Sequence, residues 1–188
     1  MNKQILIVDD SATVREQVTA TNKETLDQLV VENCLKLFKD YHLEIRARVA
    51  GESVATERFL LCGIIGFTSK QVRGALVLAT TSEPLERTNP TASPSHRDWI
   101  CELANQLLGR VKNHMLSRGV EIFPSTPIAL RGEHISPVLQ QRLVAELFTA
   151  EGGVVCVWMD CEFIEGFEFP EARVGDPAPA LEGEAILF

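Results

Sequence analysis

The sequence predicts an α+β domain in which two long helices pack on one face of a mainly antiparallel sheet. Three observations lead there. Apolar residues recur at spacings of three and four over about 22–41 and again over about 95–118, one buried stripe each. Five or six other segments alternate or run apolar over strand length. A short turn signal, Lys70-Gln71, joins two adjacent strands as in a hairpin, and Glu151-Gly152-Gly153 splits two further strands.

Taken in order, Ile5 to Val8 is a short strand candidate, and Asp10 or Ser11 can cap a helix starting near Ala12. A second helical segment, Asn22 to Tyr41, buries Leu26, Leu29, Val30, Cys34, Leu37 and Phe38. Leu43, Ile45, Ala47 and Val49 alternate with charged residues, a half-buried strand that ends before the break at Gly51-Glu52. Phe59 to Phe67 is nearly all apolar with Gly63 and Gly66 inside it, a central strand where something approaches closely. Val72 to Ala79 is its hairpin partner. Thr80 to Ser95 holds Pro84, Pro90 and Pro94 and reads as a loop. The helix from Ser95 to Arg118 buries Trp99, Ile100, Leu103, Leu107, Leu108, Val111 and Met115, and Gly119 ends it. Pro124 to Glu133 is extended; Arg142 to Phe148 and Val154 to Ile164 are two further strands. The segment from Pro170 to Glu184 is rich in Pro, Ala, Gly and acids and reads as linker, after which Ala185 to Phe188 is apolar again. The expected organisation is an N-terminal extension at 1–21, a domain at 22–168 and a tail at 169–188.

Bulk properties exclude several functions. At 188 residues and 45% hydrophobic content the chain can bury a real core. With 18 basic against 26 acidic residues the net charge is −8, so nucleic acid and anionic membrane surfaces are poor partners. No apolar run is long enough for a membrane span. The segment from Met1 to Asp10 is too short and acidic for a secretory signal, so a cytoplasmic location is expected. The five cysteines (34, 62, 101, 156, 161) form no CxxC pair and read as small buried hydrophobes in a reducing compartment. His42, His96, His114 and His134 are scattered without zinc-ligand spacing, so no metal or other cofactor of its own is expected.

The candidate chemistry lies on the 95–118 helix. Glu102, Asn105, Gln106, Gly109 and Asn113 fall at offsets of three, four, seven and eleven, which puts them on one stripe opposite the apolar one. Exposed helix faces usually mix Lys, Arg and Glu. This one offers a carboxylate, amides and a glycine that costs the helix about 1 kcal/mol relative to alanine. A second Glu-x-x-Asn, Glu86 to Asn89, precedes Pro90, which pushes Asn89 off helical geometry and spoils the pairing.

Glu102-Leu103-Ala104-Asn105 with Gly109 and Lys112 resembles the Glu-x-x-Asn helix of the CheC/CheX chemotaxis phosphatases. Cys62 to Phe67 followed by Val72 to Leu78 resembles their paired strands, and Pro124 to Arg131 their extended segment after the helix. The similarity covers about residues 22–168. It implies hydrolysis of the phosphoaspartate on a CheY-like response-regulator receiver, with Mg²⁺ held by that partner. Asn105 would orient the attacking water, Glu102 would pair with the receiver's active-site lysine, and Gln106, Gly109 and Asn113 would face the partner. The first helix lacks the motif, so a single site points to the CheX-like branch, whose members form dimers through sheet edges. The loop at 80–95 departs from the family, which commonly has a helix there.

Ile5 to Ser11 resembles the opening of a receiver domain. No later strand ends in an acceptor Asp at the right distance, so receiver activity is rejected and Asp9 and Asp10 read as turn and cap residues. Rival readings stay open: a receiver-binding module without hydrolysis, a dimerisation domain, or a merely solvated helix face. Cys101, beside Glu102, reads as buried and inert.

Overall fold

A computed structural model describes residues 11–47, 60–90, 95–133, 146–150 and 152–170. The strand expected at Ile5 to Val8, the acids Asp9 and Asp10, the break at Gly51-Glu52, and the tail beyond Pro170 lie outside these residues. So do the outer ends of two expected strands, at 48–49 and 142–145.

The order is α1 (Ser11–Asp40), β1 (Ile45–Ala47), β2 (Leu60–Thr68), β3 (Val72–Thr80), α2 (Ser82–Thr88), α3 (His96–Ser117), β4 (Phe123–Pro124), β5 (Ile128–Gly132), β6 (Glu146–Ala150) and β7 (Gly153–Phe163). The strands form one antiparallel sheet in the order β1-β6-β7-β3-β2, with β4 and β5 both paired to the free side of β2. The architecture is the α+β arrangement that the periodicities predict.

Side-chain alternation divides the sheet into two faces. Ile65 and Phe67 on β2, Leu76 and Leu78 on β3, and Val155, Val157 and Met159 on β7 meet the apolar stripes of α1 and α3 in the main core. The other face carries a smaller cluster built on Cys62, Val77, Ala79 and Cys156. The tightest helix–sheet contact is at Gly63. A Cβ there would lie 2.6 Å from the Ile100 carbonyl oxygen and 3.0 Å from Ala104 Cβ. Glycine on β2 and alanine on α3 therefore let α3 seat directly on the sheet, which is the close approach that the glycine-bearing strand implies.

Two differences from the sequence reading have local causes. The helical segments expected from Ala12 and from Asn22 are one continuous helix of 30 residues, and the expected domain boundary at 21/22 falls inside it. Two of its threonines turn their hydroxyls onto the preceding turn. Thr21 Oγ1 donates to the Gln17 carbonyl and Thr25 Oγ1 to that of Thr21, each at 3.0 Å. Asn22 caps nothing; it is buried, donates to the Phe167 carbonyl at 2.6 Å and accepts from the Phe169 amide at 2.9 Å. That pair ties the strap after β7 to α1, beside the packed rings of Phe163, Phe167 and Phe169.

The second difference is α2, where a loop was expected. Pro84 is its third residue, inside the first turn, where backbone N–H groups have no intrahelical acceptor to lose. Proline there is compatible with a helix that would fail two turns later. The helix stops at Asn89, which is extended (φ −69°, ψ 114°) as a residue before proline should be.

Candidate functional site

The α3 helix is fixed at both ends. Ser95 Oγ accepts the Asp98 amide at 3.2 Å and donates to Asp98 Oδ2 at 2.7 Å, a reciprocal N-terminal cap. At the other end Gly119 takes φ 78°, and the Val120 amide reaches back to the Met115 carbonyl at 2.9 Å. Between them Trp99, Ile100, Leu103, Ala104, Leu107, Leu108, Val111 and Met115 are buried. The outward stripe of α3 is thus carried on a helix that has little freedom to roll or slide.

Glu102 and Asn105 are exposed on that stripe, one turn apart. Gln106, Gly109 and Asn113 share it and are half-buried. All five residues singled out from the sequence are therefore on one accessible face of one rigid element. Among the described residues nothing hydrogen-bonds the Asn105 amide, which leaves both its donor and its acceptor for an incoming group. A Cβ at Gly109 would meet nothing within 4 Å. The glycine is not required by packing inside the chain, and it leaves a shallow gap one turn beyond Asn105.

Glu102 is held. Gln106 Nε2 donates to Glu102 Oε1 at 2.9 Å, and Gln106 Oε1 accepts the Tyr41 hydroxyl at 2.9 Å. Tyr41 follows the last residue of α1, and its ring meets Trp99 edge-on at 5.2 Å between centroids. One turn further along α3, Arg110 pairs with Asp40 at 2.9 Å. Further still, His114 lies among Glu32, Lys36 and Arg118; burial and then Lys36 lower its pKa from the usual 6.5, with Glu32 working against them. Sequence reasoning did not find Tyr41. It is 65 residues from Gln106, and nothing in local spacing joins the two.

The other Glu-x-x-Asn copy is spatially near but differently built. Glu86 is helical on α2, Asn89 is not, and α2 is tied to α3 by a hydrogen bond from Trp99 Nε1 to Thr88 Oγ1 at 3.0 Å.

No thiol offers a rival chemistry. None of the five cysteines is in a disulfide. Burial pushes Cys62 up to about 11, and burial with the nearby Asp27 and Asp160 pushes Cys161 up to about 12. Cys34 is raised as well, by burial and then by Cys156. Cys101 is half-buried rather than buried, and burial still raises its pKa against the pull of Arg97. These thiols stay protonated near neutral pH, so they lack the thiolate that nucleophilic attack needs. Among the described residues no group of three or more His, Cys, Asp or Glu could hold a metal ion, and no helix is long and apolar enough to cross a membrane.

No family model matches the sequence, and no curated protein matches it. Solved structures do. The chemotaxis protein CheX from Vibrio vulnificus is 15% identical with a TM-score of 0.61, over 73% of this chain and 96% of that one. A CheC-like superfamily protein from Shewanella sp. PV-4 is 20% identical with a TM-score of 0.57, over 73% and 97%. A chain of the CheX-CheY-BeF3-Mg²⁺ complex from Borrelia burgdorferi is 11% identical with a TM-score of 0.53, over 72% and 96%. The protein has the CheC/CheX fold, and it spans almost the whole of each of these structures.

Proposed function

We propose that the protein is a phosphatase of the phosphoaspartate on a CheY-like receiver, acting through Glu102 and Asn105. The observation that carries this reading is the pairing on α3 of a held carboxylate with an exposed, unengaged amide one turn away. The complex of CheX with CheY among structures of the same fold supports a receiver as the partner.

The chemistry suits these residue types. An acyl phosphate is already activated, and the receiver brings its own Mg²⁺ to spread the charge on the phosphoryl oxygens. The missing component is a water placed in line with the scissile bond. The Asn105 side-chain carbonyl accepts a hydrogen bond from that water, whose protons leave with the phosphate, and the NH₂ group donates a hydrogen bond to a phosphoryl oxygen. The water oxygen then bonds to phosphorus as the bond to the aspartyl oxygen breaks, releasing inorganic phosphate and a free carboxylate. Such catalysis works by position, so an amide with an ordinary environment suffices. Glu102 pairs with the receiver's active-site lysine and fixes the docking; Gly109 and Asn113 lie against the receiver surface. The protein works in the cytoplasm, with no metal of its own, and can pair with a second copy through a sheet edge.

The test is the decay of a phosphorylated CheY-like receiver with and without the protein, run beside Asn105→Ala. Accelerated decay that falls about a hundredfold in the variant is the expected result. Tight binding of the receiver with unchanged decay would leave a docking module in place of an enzyme.

A further inference from the structure

We propose that Tyr41 and Gln106 are positioning residues that hold the Glu102 carboxylate in its docking orientation, so that the end of α1 sets the affinity of α3 for its partner. The proposal rests on reading Glu102 as the docking carboxylate.

Hydrogen-bond chemistry fixes the direction of the relay. A carboxylate can only accept, so the Gln106 group facing Glu102 must be the NH₂. That turns Gln106 Oε1 toward Tyr41, whose hydroxyl must then donate. Both contacts are 2.9 Å. A flipped amide would set two acceptors against each other at Glu102, so one orientation is selected. Gln106 thereby uses its amide inside the chain, which makes it a support for the carboxylate more than a contact for a partner.

The anchor of the relay is firm. Tyr41 is half-buried, and its ring stands edge-on to the buried Trp99. The Asp40–Arg110 pair on one side and the Tyr41–Trp99 contact on the other span the turns of α3 that flank Glu102 and Gln106. Just beyond, His42 adopts φ 59°, a left-handed conformation that is uncommon for a residue with a side chain. It closes α1 with hydrogen bonds from His42 N to the Lys39 carbonyl and from Leu43 N to the Phe38 carbonyl, at 2.9 and 3.0 Å. The chain turns sharply immediately after Tyr41, whose ring lies against Trp99 of α3. Without the relay, an exposed glutamate samples several rotamers and must lose that freedom at each docking event.

The experiment has two arms. In the free protein, side-chain NMR reads the order of the Gln106 amide in the wild type and Tyr41→Phe, and the order of the Glu102 side chain in the wild type and Gln106→Glu. Tyr41→Phe keeps the ring on Trp99 and removes only the donor, so the amide is expected to become mobile. Gln106→Glu places two carboxylates side by side and is expected to free Glu102 outright. In the second arm, receiver-phosphate decay is followed against receiver concentration. Tyr41→Phe is expected to raise KM roughly two- to tenfold with kcat unchanged, the range one hydrogen bond spans, and to add nothing in a Glu102→Ala background. If the wild type fails to accelerate decay, the phosphatase reading falls, and titration of a beryllofluoride-loaded receiver replaces KM while the NMR arm still decides the relay. A Gln106 amide equally ordered in Tyr41→Phe, or effects of Tyr41→Phe and Glu102→Ala that multiply independently, would overturn the proposal.

Discussion

The chain writes Glu-x-x-Asn twice within 20 residues, at Glu86–Asn89 and at Glu102–Asn105, and the two copies differ in everything except spelling. In the first, the helix has ended by the asparagine, which is extended before Pro90. In the second, both residues stand in the middle of a 22-residue helix capped at each end. The carboxylate of the second copy is held by Gln106, and Gln106 by Tyr41 from another element. A three-residue spacing carries geometric meaning only where the backbone between the two side chains is a helix and where that helix cannot shift.

The largest effect should come from exchanging the amides. Asn105→Ala is expected to lower receiver dephosphorylation about a hundredfold, whereas Asn89→Ala leaves it unchanged, as single-turnover decay would show. Equal losses would erase the distinction between the copies. Next is the seat of the second copy. Gly63→Val drives a side chain into the Ile100 carbonyl, which is backbone and has little room to yield. A loss of about 1–3 kcal/mol in urea unfolding is expected, with site activity falling as α3 lifts from the sheet. The corresponding insult near the first copy should leave the α3 site working if folding survives.

Gly109→Ala sharpens the comparison differently. The position is open, so alanine should stabilise the helix by about 0.5–1 kcal/mol. If a partner uses the gap, receiver affinity should fall while the melting temperature rises; unchanged affinity with a raised melting temperature would show that the gap is unused. The smallest effect is the pH dependence from His114. Its folded pKa lies below the usual 6.5, mainly through burial and then Lys36. Below the unfolded value the unfolded chain binds the proton more readily, so this contribution to stability is complete above about 6.5 and is lost as the pH falls through the folded pKa. His114→Gln should flatten the change in urea midpoint between pH 7.5 and pH 5.5.

Much of the site was legible because it lies within one helix. Offsets of three, four, seven and eleven from Glu102 place residues on one face whatever the rest of the chain does. Burial of the opposite stripe then follows from Trp99, Leu103, Leu107 and Val111. The extent of α1 was not legible, because Thr19, Thr21, Asn22 and Thr25 have weak helix propensity. The hydroxyls of Thr21 and Thr25 nevertheless turn back onto the preceding turn. Nor was α2, since Pro84 reads as a breaker until its place in the first turn is known.

The sequence by itself determined the α+β class, the hairpin of β2 and β3, the buried stripe of α3 and the shared face of Glu102 and Asn105. Each depends on a period of two or 3.6 that short-range sterics impose. Only the tertiary structure decided that Gly63 meets Ile100, that Asn22 clamps the strap at Phe167 and Phe169, and that Tyr41 reaches Gln106. Those contacts join residues 37 to 147 positions apart. Such pairings come from the packing of whole elements, which no local periodicity encodes.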